Sequence, residues 1–128
     1  MRVMYRLPDR EEIAKAARDV LRTQREVNSL AQMHSQVLKR LKKKNRYYRI
    51  SKARLLKILA TTPGVRIRVE KRKARRSPRL CPLCGSPLED LQGIDLFGNR
   101  VRLGKRCTHC GYRIERGNME PRRYIFYI

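Results

Sequence analysis

The chain has 128 residues, with 33 Lys and Arg against 11 Asp and Glu and a formal net charge of +22. That length allows one modest domain or two small ones and argues against a large buried catalytic cleft, and self-repulsion on this scale destabilises a compact state unless a polyanion lies nearby. No window of 18 apolar residues could cross a bilayer, and no apolar signal core or lipidation signal accompanies the charge, so a cytoplasmic protein with reduced thiols and no membrane partner is expected.

In chain order, Asp9 followed by Glu12 predicts a helix start with a capping box, and Ile13, Ala16, Ala17, Val20 and Leu21 recur at helical spacing to about Gln24. Asn28-Ser29 with Gln32 repeats the signal, and Leu30, Met33, Val37, Leu38 and Leu41 form the stripe of a second helix. It ends in "KRLKKKN", where cations suit both the macrodipole and a phosphate partner. "RYYRIS" predicts a short extended piece, with Ser51 capping a third helix over 51–62 that stops before Pro63-Gly64. On that helix Leu55, Ile58, Leu59 and Thr62 share one side, while Ala53, Arg54, Lys57 and Thr61 share a small, basic one.

"VRIRVEKR" alternates, with Val65, Ile67 and Val69 facing one way, and predicts a strand. Three helices and this strand suggest a winged helix-turn-helix module over 1–72, short of a convincing second wing strand unless "YYRI" supplies it. "KRKARRSPR" then predicts a basic linker over 73–79 that orders on a polyanion.

All four cysteines fall in two CxxC pairs, Cys81/Cys84 and Cys107/Cys110, each followed by glycine and separated by 22 residues. Two such knuckles bring four thiolates to one ion, which suits a single structural Zn2+ and leaves no open position for catalysis. Between them "LEDLQGIDL" and "RVRLGKR" predict a hairpin turning at Gly98-Asn99, the construction of a zinc ribbon over 80–128. The fold class expected is therefore α+β: an N-terminal three-helix winged-helix-like module, a basic linker, and a C-terminal four-cysteine zinc ribbon. The apolar tail, Tyr124 to Ile128, is grouped with the ribbon and predicts a strand that packs on one of the sheets.

Other side chains read more simply. His34 lies on the apolar side of the second helix as a structural histidine, and His109 points outward from its knuckle. One of Tyr47 and Tyr48 packs and the other is exposed; stacking on bases by Tyr47, Tyr48, Tyr124, Phe126 or Tyr127 is the lesser alternative. The carboxylates are scattered or cap helices, and no nucleophile elbow is present, so neither enzyme activity nor a small-molecule substrate is expected.

"YRISKARLLKI", "PGVRIRVEKRK", "LCPLCG", "VRLGKRCTHCGY" and "PRRYIF" together resemble a small family of archaeal proteins that join a winged-helix region to a C-terminal zinc ribbon. The ribbon is also similar to those of small, very basic ribosomal proteins, sharing knuckles and charge. The resemblance implies zinc binding and nucleic-acid association, with no activity attached. With the charge spread along the chain, it leads to the expectation of a ribosomal or ribosome-associated protein contacting rRNA, and possible ribosomal-protein neighbours, through the phosphate ligands Arg40, Lys42, Lys43, Lys44, Arg54, Lys57, Lys71, Arg72, Lys73, Arg75 and Arg76. The alternatives are a duplex-DNA regulator or chromatin protein reading through helix 51–62, with Arg54 its one good guanine reader, and a zinc-ribbon adaptor docking on an acidic protein surface.

Overall fold

The computed structural model describes residues 6–76, 78–115 and 118–128. Three helices form where the caps place them. Helix α1 (Arg10–Gln24) starts at Asp9, whose carboxylate accepts the Glu12 N–H at 2.8 Å. Helix α2 (Leu30–Lys44) starts at Ser29, whose hydroxyl accepts from Gln32 at 3.1 Å, and α3 (Lys52–Ala60) starts at Ser51, which accepts from Arg54 at 3.1 Å. Each cap satisfies one of the amides that an α-helix leaves without an internal partner.

The chain divides into two compact units, residues 1–70 with 123–128, and residues 71–122. In the first, Ile13, Ala17, Val20 and Leu21 of α1 meet Met33, Val37 and Leu41 of α2 and Leu55 and Leu59 of α3 in a closed apolar core. Leu56 is buried as well, so α3 is covered over a wider arc than its single sequence stripe. A short strand β1 (Glu26–Val27) lies between α1 and α2, and β2 (Arg66–Lys73) follows α3.

The last strand, β6 (Met119–Tyr127), lies between β1 and β2 in a three-stranded sheet. Val27 pairs with Phe126 and Glu26 with Tyr127, antiparallel. Farther along, Glu70 meets Arg123 and the Ala74 N–H donates to Asn118, so β2 also runs antiparallel to β6. Ile125 and Phe126 are thereby buried, Phe126 completely. The tail grouped with 80–128 from sequence thus contributes its last residues to the helical unit, and the strand partnering β2 comes from the C-terminus rather than from "YYRI". Tyr48 of that segment instead makes a single parallel bridge to Arg6. Pro121 is tolerated in β6 because β1 reaches only Phe126 and Tyr127, leaving the proline on a stretch with one neighbouring strand.

The second unit is an insertion between β2 and β6. Its sheet has the order β3-β4-β5, from β3 (Leu88–Ile94), β4 (Arg100–Cys107) and β5 (Arg113–Ile114), all antiparallel, with a bulge at Leu91/Gln92. The segment expected as a linker over 73–79 begins within β2 and makes bends at Arg75 and Arg76, and Ser77 lies outside the described residues. The buried apolar set here is small: Leu83, Tyr112 and Ile114 beside the cysteines.

Gly104 shows how tightly β4 and β5 approach. A Cβ on it would lie 1.8 Å from the Ile114 carbonyl oxygen, whereas one on Gly93 would meet only the Leu103 side chain, at 2.7 Å. Gly104→Ala is therefore expected to destabilise the second unit by at least the roughly 1–3 kcal/mol typical of overpacking, because backbone must move. Gly93→Ala should cost less, since Leu103 can swing aside. Denaturant midpoints of the second unit for the two variants check the ranking.

Candidate metal centre and cationic surfaces

The two cysteine pairs sit on turns of the same construction. In the first, the Gly85 N–H donates to the Cys81 carbonyl at 2.9 Å and the Cys81 N–H to Ser86 O at 2.7 Å. In the second, Gly111 donates to Cys107 O at 3.0 Å and Cys107 to Tyr112 O at 2.7 Å. Each turn needs a residue at positive φ after its second cysteine, and Gly85 and Gly111 supply it at +78° and +84°. Leu88 pairs with Cys107, so the β3–β4 hairpin carries the second turn back beside the first.

All four sulfurs fall within 4.8 Å of one another, with Cys81 to Cys110 at 3.5 Å and Cys84 to Cys107 at 3.4 Å. A disulfide requires about 2.05 Å, so these are free thiols. Four sulfurs placed about 2.3 Å from a common ion form a tetrahedron with edges of about 3.8 Å. The observed separations bracket that edge, and the cluster can hold a metal ion.

Electrostatics of the cluster point the same way. Burial pushes the Cys81 thiol up, and burial likewise raises that of Cys110 well above the ordinary thiol range. At Cys84 burial also pushes upward, but hydrogen bonds from the Ser86 hydroxyl and N–H and from the Cys107 and Cys110 thiols outweigh it and bring the pKa to about 6. A bound divalent ion would stabilise every thiolate at once, offsetting the burial that disfavours the charged form at Cys81 and Cys110. His109 is exposed and outside the four-sulfur group.

The sequence-predicted phosphate ligands fall into two sets. In the first unit, Lys42, Lys43 and Lys44 are exposed on the last turn of α2 and Lys57 on α3. Arg40 is half-buried and donates to the Thr23 hydroxyl at 3.4 Å, beside a shallow cleft that also holds Glu12 and Asp19. Arg54 is engaged within the fold, half-buried and donating to the Pro8 carbonyl at 2.8 Å, which ties the segment before α1 to α3. In the second unit, Arg72, Lys73, Arg75 and Arg76 line a shallow cleft with Glu120, which takes the Arg72 guanidinium at 2.7 Å. Lys71 is half-buried, donating to the Arg113 carbonyl with its ammonium 5.0 Å from the Tyr112 ring centre.

Of the remaining residues, His34 meets the Ile50 carbonyl through Nε2 at 2.6 Å, and because a carbonyl only accepts, Nε2 carries the proton. Tyr48 is half-buried and its hydrogen bond to Glu12 raises its pKa, whereas Tyr47 is exposed under the Arg46 guanidinium. Phe126 is closed off from any base by its burial.

Two features escaped the sequence reading. Arg106 pairs directly with Arg113 across β4–β5, and both line a cleft beside the second knuckle with Thr108 and Gly111. The cations flanking the knuckle in "KRCTHCGYR" were the available signal. The other is Leu96-Phe97, an apolar pair exposed at the β3–β4 turn, where turn residues are ordinarily polar.

Among the described residues the structure is α+β, with three helices, two small antiparallel sheets and a four-cysteine cluster able to bind a metal. No protein-family model, curated protein or solved structure matches the chain. Among the described residues no helix is long and apolar enough to cross a membrane.

Proposed function

We propose that this is a non-enzymatic, zinc-containing RNA-binding protein, a component of the ribosome or a factor associated with it, that holds rRNA chiefly through phosphate contacts. Zinc is the ion that an all-thiolate, tetrahedral set selects, and four sulfurs fill its coordination, which makes the ion structural. The order α1, β1, α2, α3, β2, β6 supports the winged helix-turn-helix reading of the first unit, with the zinc ribbon inserted between the wing strands.

The observation that carries the reading is the Arg106–Arg113 pair. Like charges directly opposite on neighbouring strands cost stability; Glu89 faces Arg106 from β3 and offsets part of that cost, but the cleft that Arg106 and Arg113 share keeps a net positive charge, which a bound anion would relieve. RNA is favoured over sequence-specific duplex DNA because Arg54, the guanine reader that the DNA alternative requires, is engaged by Pro8.

Fluorescence anisotropy with a labelled rRNA fragment, titrated across salt, tests this. With about 6 to 10 phosphates contacted, affinity is expected to fall on the order of a thousandfold or more between 50 and 200 mM salt. Replacing Arg106 and Arg113 by alanine should lower the logarithmic salt slope by roughly 1.5. A flat salt response of the native protein would remove the basis of the proposal.

A further inference from the structure

Four hydrogen bonds build the tip of the β3–β4 hairpin. The Asp95 N–H donates to Asn99 O at 2.9 Å and Gly98 N–H to Asp95 O at 3.1 Å, while Asp95 Oδ1 accepts from the amides of Phe97 and Asn99, both at 2.9 Å. Gly98 takes the positive φ, +81°. The turn chemistry thus belongs to Asp95, Gly98 and Asn99, and the side chains of Leu96 and Phe97 add nothing to it. Yet Leu96 is fully exposed and Phe97 is 88% exposed, and Ile94, the last residue of β3 before the turn, is 74% exposed.

An apolar pair held outward on a rigid turn is preorganised for contact, since little conformational freedom remains to be lost on binding. The adjoining charge says what kind. Asp95 spends a carboxylate oxygen on two backbone amides, and behind the tip Arg100 and Arg102 are exposed on β4. The complement of an apolar point backed by cations is a flat apolar face set on a chain of negative charge, which is an unstacked nucleobase on its phosphate backbone. From the Leu88–Cys107 pair to the Ile94–Arg100 pair is six steps of strand, so the tip stands about 20 Å from the cysteine cluster, at the opposite end of the hairpin that the cluster anchors.

We infer that the β3–β4 tip is a wedge that seats Leu96 and Phe97 against unpaired bases of RNA while Arg100 and Arg102 engage the flanking phosphates. The inference rests on the RNA-binding reading above and adds the contact that distinguishes looped or single-stranded RNA from a regular duplex. A-form duplex presents its bases stacked and its major groove too deep and narrow for side chains, so the wedge works where bases are splayed.

The test uses the full metal-loaded chain and two fluorescein-labelled RNAs of mixed sequence, a single-stranded 20-mer and a blunt duplex of the same length. Leu96→Ser with Phe97→Ser is expected to weaken single-strand binding by about tenfold or more, with the salt slope and the duplex affinity unchanged. Unchanged metal content and circular dichroism establish that the turn, built from other residues, has survived. The native chain contains no tryptophan, so Phe97→Trp provides a single reporter whose emission should be quenched by stacking on the single strand and little changed by the duplex. Single-strand affinity within twofold of native in the double variant, with no quenching in the Phe97→Trp variant, overturns the wedge and leaves the phosphate reading standing. Failure of the native chain to bind either RNA overturns both. A photocrosslinker at position 97 that captures protein and no RNA in cells assigns the tip to an apolar protein pocket and overturns the wedge as well.

Discussion

If the four-cysteine cluster holds zinc as proposed, removing the metal by chelation, or Cys107→Ser, is expected to unfold the second unit across residues 79–115 while α1, α2 and α3 keep their structure. Among the described residues the buried apolar set of this unit, Leu83, Tyr112 and Ile114 beside the cysteines themselves, is too small for independent stability. Small folds of this size depend on a staple, and a structural zinc supplies apparent binding free energy on the order of 10–16 kcal/mol near neutral pH. Losing that exceeds any stability the sheet β3-β4-β5 can retain, and it returns four thiols, three of them buried and two with raised pKa, to a site with no counter-ion. The helical unit closes its own core with Ile13, Met33, Leu55 and Phe126, none of which belongs to the insertion. Amide chemical shifts before and after chelation read the two units separately. Dispersed resonances persisting over 79–115 in the metal-free protein would refute the dependence.

The second large effect is at the other end of the chain. Phe126→Ala should destabilise the helical unit by about 3–5 kcal/mol, the cost of emptying a fully enclosed aromatic site. In a domain of this size that lowers the unfolding midpoint by on the order of 20 °C. Deleting residues 119–128 goes further, because it removes the strand between β1 and β2 along with Ile125 and Phe126. The truncated chain is expected not to fold its helices stably, although it retains every residue of all three. Thermal melts followed by circular dichroism at the helical band distinguish the outcomes. A truncated protein melting like the native one would show that β6 is dispensable. The ion pairs along these strands, Arg123 with Glu70 and Arg68 with Glu26, contribute far less, since exposed pairs of this kind are worth roughly 0–1 kcal/mol.

What could be read from sequence was local in cause. Asp9, Ser29 and Ser51 each cap an amide three residues on, so the helix starts depend on a four-residue span. The cysteine turns close within six residues, from Cys81 to Ser86 and from Cys107 to Tyr112, and their spacing already announces a shared ligand. Alternation located β2, and the Gly98-Asn99 turn located the β3–β4 hairpin, because a short connection leaves the strands little choice of partner.

The partner of β6 was of another kind. An apolar strand at a chain end declares that it must be covered, and its own residues do not say by what. Only closure of the helical core selected Val27 and β2 over the sheet β3-β4-β5, across an insertion of some fifty residues. Arg54 makes the same point from the surface: its place on the helical wheel marked it as available, but Pro8, 46 residues earlier, takes it by a contact that exists only in the folded chain. Sequence alone determined the three helix starts, β2, the β3–β4 hairpin and the two cysteine turns, since each arises from neighbours in the chain, whereas the two-residue strands β1 and β5 carry no such local signal. Tertiary structure decided which strand completes which sheet, which cations stay exposed and which apolar residues remain uncovered, because those depend on pairing across distance and on the burial that pairing brings.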